Sequence, residues 1–290
     1  MSRIAYVNGR YVDQRLAEVN IEDRGYQFGD GIYEVVHLYA GRFVDEDLHL
    51  ARLERSLAEI RLPMPMSRAA PRHVLAEVAR RNRITEGLLY MQVTRGVARR
   101  DHAFPTGEVP PALVVTVKRI PPYPASVDRW GAKAITLPDQ RWARRDIKTI
   151  NLLPNCLARQ AAREQGAIEA ILYDEASGMV TEGAATTFWI VDAAGVVRTR
   201  HLNHVILPGC TRAALLAEMA AAGMAFEDRP FTLDEARQAR EAFLTSATSF
   251  VKPIVALDGM PVGDGQVGPV VRRLFEMFAR HVKGRLGNAA

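Results

Sequence analysis

The sequence predicts a two-domain α/β protein with mixed sheets and flanking helices, and three observations lead there. Runs rich in β-branched and aromatic residues alternate with segments whose apolar residues recur at helical spacing. A proline cluster, Pro121, Pro122 and Pro124, interrupts the alternation and marks a linker. The chain has 290 residues, about twice the commonest domain size. Together these place an N-terminal α/β domain over 1–120, a linker over 121–131 and a C-terminal α/β domain over 132–290.

Two hairpins open the chain. In I-A-Y-V-N-G-R-Y-V two β-rich runs flank Asn8-Gly9, a dipeptide suited to a two-residue turn. Residues 34–38 and 42–44 flank Ala40-Gly41 in the same way. Between the hairpins lies E-D-R-G-Y-Q-F-G-D-G-I-Y-E-V, residues 22–35, with glycines at 25, 29 and 31. It lacks the spacing and following helix of a Walker or dinucleotide loop, and reads as a turn that delivers Tyr33 to a strand end.

From residue 47 onward Leu50, Leu53, Leu57 and Ile60 recur at helical spacing, and Val74, Leu75 and Val78 mark a second helix over 74–81. Strands follow at 88–94 and 112–117, and beyond the linker at 132–137. Pro154 suits the first turn of a helix that Gly166 ends, and Thr232 with Glu235 has capping-box spacing. Residues 170–173, 186–191, 242–244 and 253–257 read as further strands.

Composition narrows the function classes. Hydrophobic residues at 48% and charged residues at 24% are ordinary globular values, which exclude disorder and collagen as themes. The longest apolar runs are too short for a bilayer, and no signal-peptide apolar region opens the chain, so a cytoplasmic location is expected. Cys156 and Cys210 lack the spacing of a zinc site or disulfide framework, and no metal is expected. A net charge of +5 raises the alternative of nucleic-acid binding, but the arginines alternate with Asp and Glu and form no long basic block. Affinity for a small anion explains them as well.

The chemistry lies in short stretches. Positive charge rests almost wholly on arginine, with lysine only at Lys118, Lys133, Lys148, Lys252 and Lys283. Arginine stays protonated, whereas a desolvated lysine can act as a nucleophile. Lys148 sits in R-R-D-I-K-T-I-N-L-L-P-N, between Ile147 and Ile150 and ahead of Leu152 and Leu153, a segment patterned for burial. Glu182, in M-V-T-E-G, lies between a turn signal and a strand, and is either an inward carboxylate or a solvated hairpin end. The stretch I-L-P-G-C-T-R, residues 206–212, leads into a helix striped by Leu215, Leu216 and Met219. A helix start exposes unpaired N–H groups suited to phosphate, and Gly209 allows close approach; an ordinary N-cap is the alternative. Arg52 is a second anion ligand or part of a solvated face with Arg55 and Arg61.

These stretches together resemble the fold-type IV pyridoxal phosphate enzymes, most closely the D-amino-acid aminotransferases. The pattern covers nearly the whole chain: Y-V-N-G, D-R-G-x-x-F-G-D-G-x-Y-E, D-I-K-x-x-N-L-L, V-T-E-G and L-x-G-x-T-R. The resemblance implies that Lys148 condenses with the aldehyde of pyridoxal 5'-phosphate and later moves the substrate's Cα proton. It implies that Glu182 pairs with the ring nitrogen, that Arg52 and the backbone of Cys210 and Thr211 hold the phosphate, and that Leu207 packs on the ring. Tyr33 would lie beside the cofactor. Arg100 and His102, in V-A-R-R-D-H-A-F-P, match the carboxylate trap of D-amino-acid aminotransferases; Arg99 is adjacent.

The implied activity is transamination between a D-amino acid such as D-alanine and a 2-oxo acid, pyruvate or 2-oxoglutarate, by a ping-pong route through a pyridoxamine form. A homodimer is implied, with Arg100 and His102 reaching the partner's active site. Branched-chain aminotransferases, aminodeoxychorismate lyases and R-selective amine transaminases are the alternatives within the fold. One departure stands out: Ala184-Ala185 occupy positions where relatives often carry serine.

Overall fold

The computed structural model describes residues 3–284. They divide into two compact units, residues 3–122 with Ile147–Asn151, and Tyr123–Asp146 with residues 152–284.

The first unit is built on an antiparallel six-stranded sheet. Its elements are β1 (Ile4–Val7), β2 (Arg10–Asp13), α1 (Arg24–Phe28), β3 (Gly31–Tyr39), β4 (Arg42–Phe43), α2 (Glu46–Glu59), α3 (Ala70–Arg81), β5 (Gly87–Thr94) and β6 (Ala112–Arg119). The strand order is β2-β1-β6-β5-β3-β4. Both expected hairpins form, Asn8-Gly9 and Ala40-Gly41 each taking positive φ at both positions. Amphipathic α2 and α3 bury Leu50, Leu53, Leu57, Leu75 and Val78 against Ile32, Val36, Leu89 and Val115 of the sheet. Each such side chain contributes about 1.5–3 kcal/mol of burial.

The glycine-rich turn contains α1, an element beyond the expected set. Asp23 caps its start by accepting from Gly25 N, and Gly29 ends it in the left-handed region at φ +67°. A Cβ at Gly29 would also collide with the Asn151 side chain.

Asn151 is there because Ile147–Asn151 pairs with the start of β3. Tyr33 N donates to Lys148 O at 2.9 Å, Ile150 N donates to Gly31 O at 3.1 Å, and Ile147 enters the first core. A continuous domain over 132–290 does not accommodate this excursion, which arises from long-range pairing that local pattern does not record. At the other edge, Tyr123 of the expected linker stacks on Phe275 at 4.8 Å and meets Phe250 at 5.0 Å, within the second unit's own packing.

The second unit carries a mixed sheet. It comprises β7 (Ala132–Pro138), α4 (Leu153–Glu164), β8 (Glu169–Tyr173), β9 (Val180–Gly183), β10 (Thr187–Val191), β11 (Val197–Thr199), α5 (Cys210–Ala221), β12 (Phe226–Asp228), α6 (Leu233–Arg237), β13 (Glu241–Ser246), β14 (Phe250–Leu257), β15 (Met260–Pro261) and α7 (Pro269–Gly284). The order is β12-β11-β10-β13-β14-β7-β8-β9, with β15 on β14. β7 runs parallel to β8 and β14, and α4 packs on β7 and β8. The Thr232–Glu235 capping box is complete. Helix α7, also beyond the expected set, buries Val271, Leu274, Phe275, Phe278 and Val282 at helical spacing. Among the described residues no helix is long and apolar enough to cross a membrane.

Candidate active site

The placement of Lys148 follows from the pairing of its backbone. Its carbonyl accepts from Tyr33 N, and its own N–H donates to Ser56 Oγ at 3.4 Å. That leaves Nζ 4.2 Å from the centre of the Tyr33 ring. Among the described residues Lys148 has no carboxylate partner, and its side chain is half-buried. An amine so placed is available for covalent chemistry in a way an ion-paired lysine is not. Tyr33 in turn stacks on Tyr90, with centroids 5.5 Å apart. Burial, with the Tyr33 hydroxyl nearby, pushes the Tyr90 hydroxyl up to about 12.

Arg52 lies on the buried face of α2, not the solvated one. Its Nε and Nη2 fork onto Glu34 Oε1 and Oε2 at 2.7 and 2.9 Å. His49, one turn earlier, places Nδ1 2.9 Å from Glu34 Oε2. Burial would raise the Glu34 carboxyl, but Arg52 and His49 more than reverse it and hold it well below the usual carboxylate range.

Arg100 and His102 come together on the exposed loop after β5. The Arg100 guanidinium lies 4.7 Å from the Phe28 ring centre, and the His102 ring is 5.5 Å from the same ring. Arg100 Nη1 donates to Gln27 Oε1 at 3.5 Å. Arg99 is exposed beside them.

In the second unit every residue of β9 is buried, so Glu182 is an inward carboxylate with 4% exposure. Oε1 accepts from Arg141 Nη1 at 2.7 Å, and both oxygens lie 3.2 Å from Leu207 N. Leu207, expected as a packing residue, thus also contributes its N–H. Burial pushes the Glu182 carboxyl up, with Arg141 pulling against it. Arg141 is held by Asp139 at 2.8 and 3.0 Å, and Asp139 accepts from Thr181 Oγ1 at 2.7 Å.

Gly209 is the N-cap of helix α5, with Cys210 and Thr211 buried in the first turn and no side chain capping it. Gly209 is extended, and a Cβ there would come within 2.9 Å of Thr187 Oγ1. Ala184 is buried, its carbonyl accepting from Asn155 Nδ2 at 2.6 Å, while Ala185 is exposed.

Glu34, His49, Asp139 and Arg141 are site neighbours that sequence reasoning missed. Glu34 lies inside the Y-E of the glycine-rich motif, and the His49–Arg52 spacing sets both on one helix face. Nothing local marks Arg141, because its partner Glu182 is 41 residues away.

The donors suit pyridoxal 5'-phosphate, each unit judged on its own. The first supplies an amine without a carboxylate counterion and a buried arginine. The second supplies a buried acid, whose two oxygens have lone pairs to spare, and an uncapped helix start suited to phosphate.

The family model for amino-transferase class IV matches residues 31–257. A D-alanine aminotransferase of Bacillus licheniformis is 40% identical over 267 residues, spanning 92% of this chain and 93% of that protein. The D-alanine aminotransferase of Staphylococcus haemolyticus is 38% identical over 281 residues, 97% of this chain and 98% of the relative. Among solved structures, a T.th. branched-chain amino acid aminotransferase with pyridoxamine 5'-phosphate superposes with a TM-score of 0.88 at 25% identity, over 98% of this chain and 95% of the other. The chain belongs to the class IV aminotransferases, enzymes of fold type IV that use pyridoxal 5'-phosphate.

Proposed function

We propose that this aminotransferase moves the amino group of a D-amino acid, D-alanine among them, to a 2-oxo acid such as 2-oxoglutarate or pyruvate in a ping-pong cycle. The observation that carries this reading is the 38% and 40% identity to D-alanine aminotransferases over 97% and 92% of the chain. Arg100 and His102 support it, because a guanidinium fork and an imidazole suit a substrate carboxylate.

When bound, pyridoxal 5'-phosphate condenses with an amine, and its ring accepts the electron pair left at the substrate Cα. In this reading Lys148 Nζ anchors the cofactor and, once displaced, takes the proton from the substrate Cα. Glu182 accepts from the ring nitrogen while Arg141 and Leu207 N hold its carboxylate in place. Arg52 and the Cys210 and Thr211 N–H groups hold the phosphate, Leu207 packs on the ring, and Tyr33 lies beside the substrate. Arg100 and His102 bind the carboxylate of a substrate in the second copy of a homodimer, in a cytoplasmic enzyme.

The test is a panel of D- and L-amino acids with either 2-oxo acid. D-alanine should be among the best donors. Preference for L-leucine or L-valine would instead favour a branched-chain aminotransferase, the activity for which the structurally similar T.th. enzyme is named.

A further inference from the structure

The glycine-rich stretch does more than lead into β3. Arg24, the first residue of α1, is 2% exposed. Its Nε donates to Asp30 Oδ2 at 2.8 Å. Its Nη1 donates to the carbonyl of Asp101 at 2.6 Å, and its Nη2 to the carbonyl of His102 at 3.4 Å. Arg95, just past β5, binds the same Asp30 through Nε at 2.8 Å and Nη2 at 3.0 Å. Its guanidinium also lies 3.7 Å from the ring centre of Phe104, on the far side of the loop.

Phe28, at the end of α1, completes the support. Its ring has the Arg24 guanidinium at 4.8 Å and that of Arg100 at 4.7 Å, with the His102 ring at 5.5 Å. The loop bearing Arg100 and His102 is thus tied by its backbone to Arg24, by Phe104 to Arg95, and by its functional side chains to Phe28. Charge-assisted bonds from a buried guanidinium to two successive carbonyls fix the peptide planes on either side of the His102 Cα. Asp30 accepts from both buried arginines, its one negative charge shared between them, and removing it would leave two buried cations without a carboxylate partner.

We infer that Arg24, anchored by Asp30 and backed by Phe28, is a positioning residue that sets the pose of Arg100 and His102. It thereby determines how tightly the substrate carboxylate is held. This rests on Arg100 and His102 being the carboxylate site proposed above.

The experiment compares the holoenzyme with Arg24→Gln, Arg24→Lys, Arg100→Ala and the Arg24→Gln/Arg100→Ala double variant. KM and kcat are measured for D-alanine and for a carboxylate-free R-amine, and amide hydrogen exchange is followed over residues 98–105. Arg24→Gln should raise the D-alanine KM about tenfold or more, with kcat changed less than about threefold and the R-amine nearly unaffected. Exchange over 98–105 should quicken, and Arg24→Lys, which keeps the charge but on a single nitrogen without the guanidinium's fork, should recover part of both effects. In the Arg100→Ala background Arg24→Gln should add clearly less than it costs in the parent, because the charged part of its effect runs through Arg100 and only the His102 contact is left to lose.

Wild-type exchange together with a wild-type D-alanine KM in Arg24→Gln would overturn the inference. So would equal losses on both substrates, or a fully additive double variant. Should Arg24→Gln not fold, Arg24→Lys faces the same criteria. An unchanged D-alanine KM in Arg100→Ala would overturn the carboxylate reading itself, and the exchange data then report separately on Arg24's hold on the loop.

Discussion

Arg141 Nη1 lies 2.7 Å from Glu182 Oε1, and the same guanidinium binds Asp139, so one buried cation serves two carboxylates. Removing it as Arg141→Met would leave two buried acids short of a partner, at a cost of about 3–5 kcal/mol. The sign of the pH dependence follows from Glu182, whose carboxyl burial already pushes up. A raised acid favours the fold while protonated, so that contribution is present at low pH and is lost as pH rises through the folded value. Arg141→Met should raise it further, and denaturant unfolding should show the deficit widening as pH rises above the ordinary glutamate value of 4.5. A deficit independent of pH would rule this account out.

Glu34 makes the opposite prediction. Arg52 and His49 hold its carboxyl below the ordinary glutamate value of 4.5. Its stabilisation is therefore full above that pH and declines as pH falls below it. Glu34→Gln should cost about 3–5 kcal/mol at neutral pH by leaving Arg52 without its carboxylate. The gap from the parent should narrow on acidification, as the parent loses the same pairing. Thermal melts across the acid range measure both.

Lys148→Ala should abolish transamination and the visible band of the bound cofactor while the protein stays folded. Borohydride reduction and peptide mapping of the parent should place the label on Lys148. A label on Lys118, Lys133, Lys252 or Lys283 in its place would refute the assignment.

Arg100→Ala should lower kcat/KM for D-alanine about ten- to hundredfold, the cost of one charged hydrogen-bond partner. Activity on a carboxylate-free R-amine should change far less. Arg99→Ala serves as the control, since in the structure it is Arg100 that lies on Phe28.

Glu182→Gln removes the charge that faces the ring nitrogen in the proposed site. Turnover should fall much more than cofactor affinity, and turnover of D-alanine at the parent rate would reduce Glu182 to a structural role.

Much of this was legible locally. The hairpin at Asn8-Gly9, the capping box at Thr232 and the stripes of α2 and α3 depend on residues within four positions of one another, so their patterns survive in the sequence. Helix α7 carries the same kind of stripe, and α1 carries an Asp N-cap and a terminal glycine, although both stood outside the expected elements. Arg52 was ambiguous because helical spacing gives a face but not what covers it; Glu34, on a neighbouring strand, decided the matter.

By itself the sequence determined the α/β class, most element positions and the chemical inventory: a lysine in an apolar segment, an acid before a strand, a glycine-led helix start and an Arg-x-His loop. Only the tertiary structure decided that Ile147–Asn151 leaves the second unit to pair with β3, that Arg141 rather than water meets Glu182, and that Arg24 grips the carbonyls of Asp101 and His102. The physical reason is range. Turn, cap and helix preferences are set by backbone torsions and near neighbours, whereas a buried charge is tolerated only beside a partner that folding brings from tens of residues away.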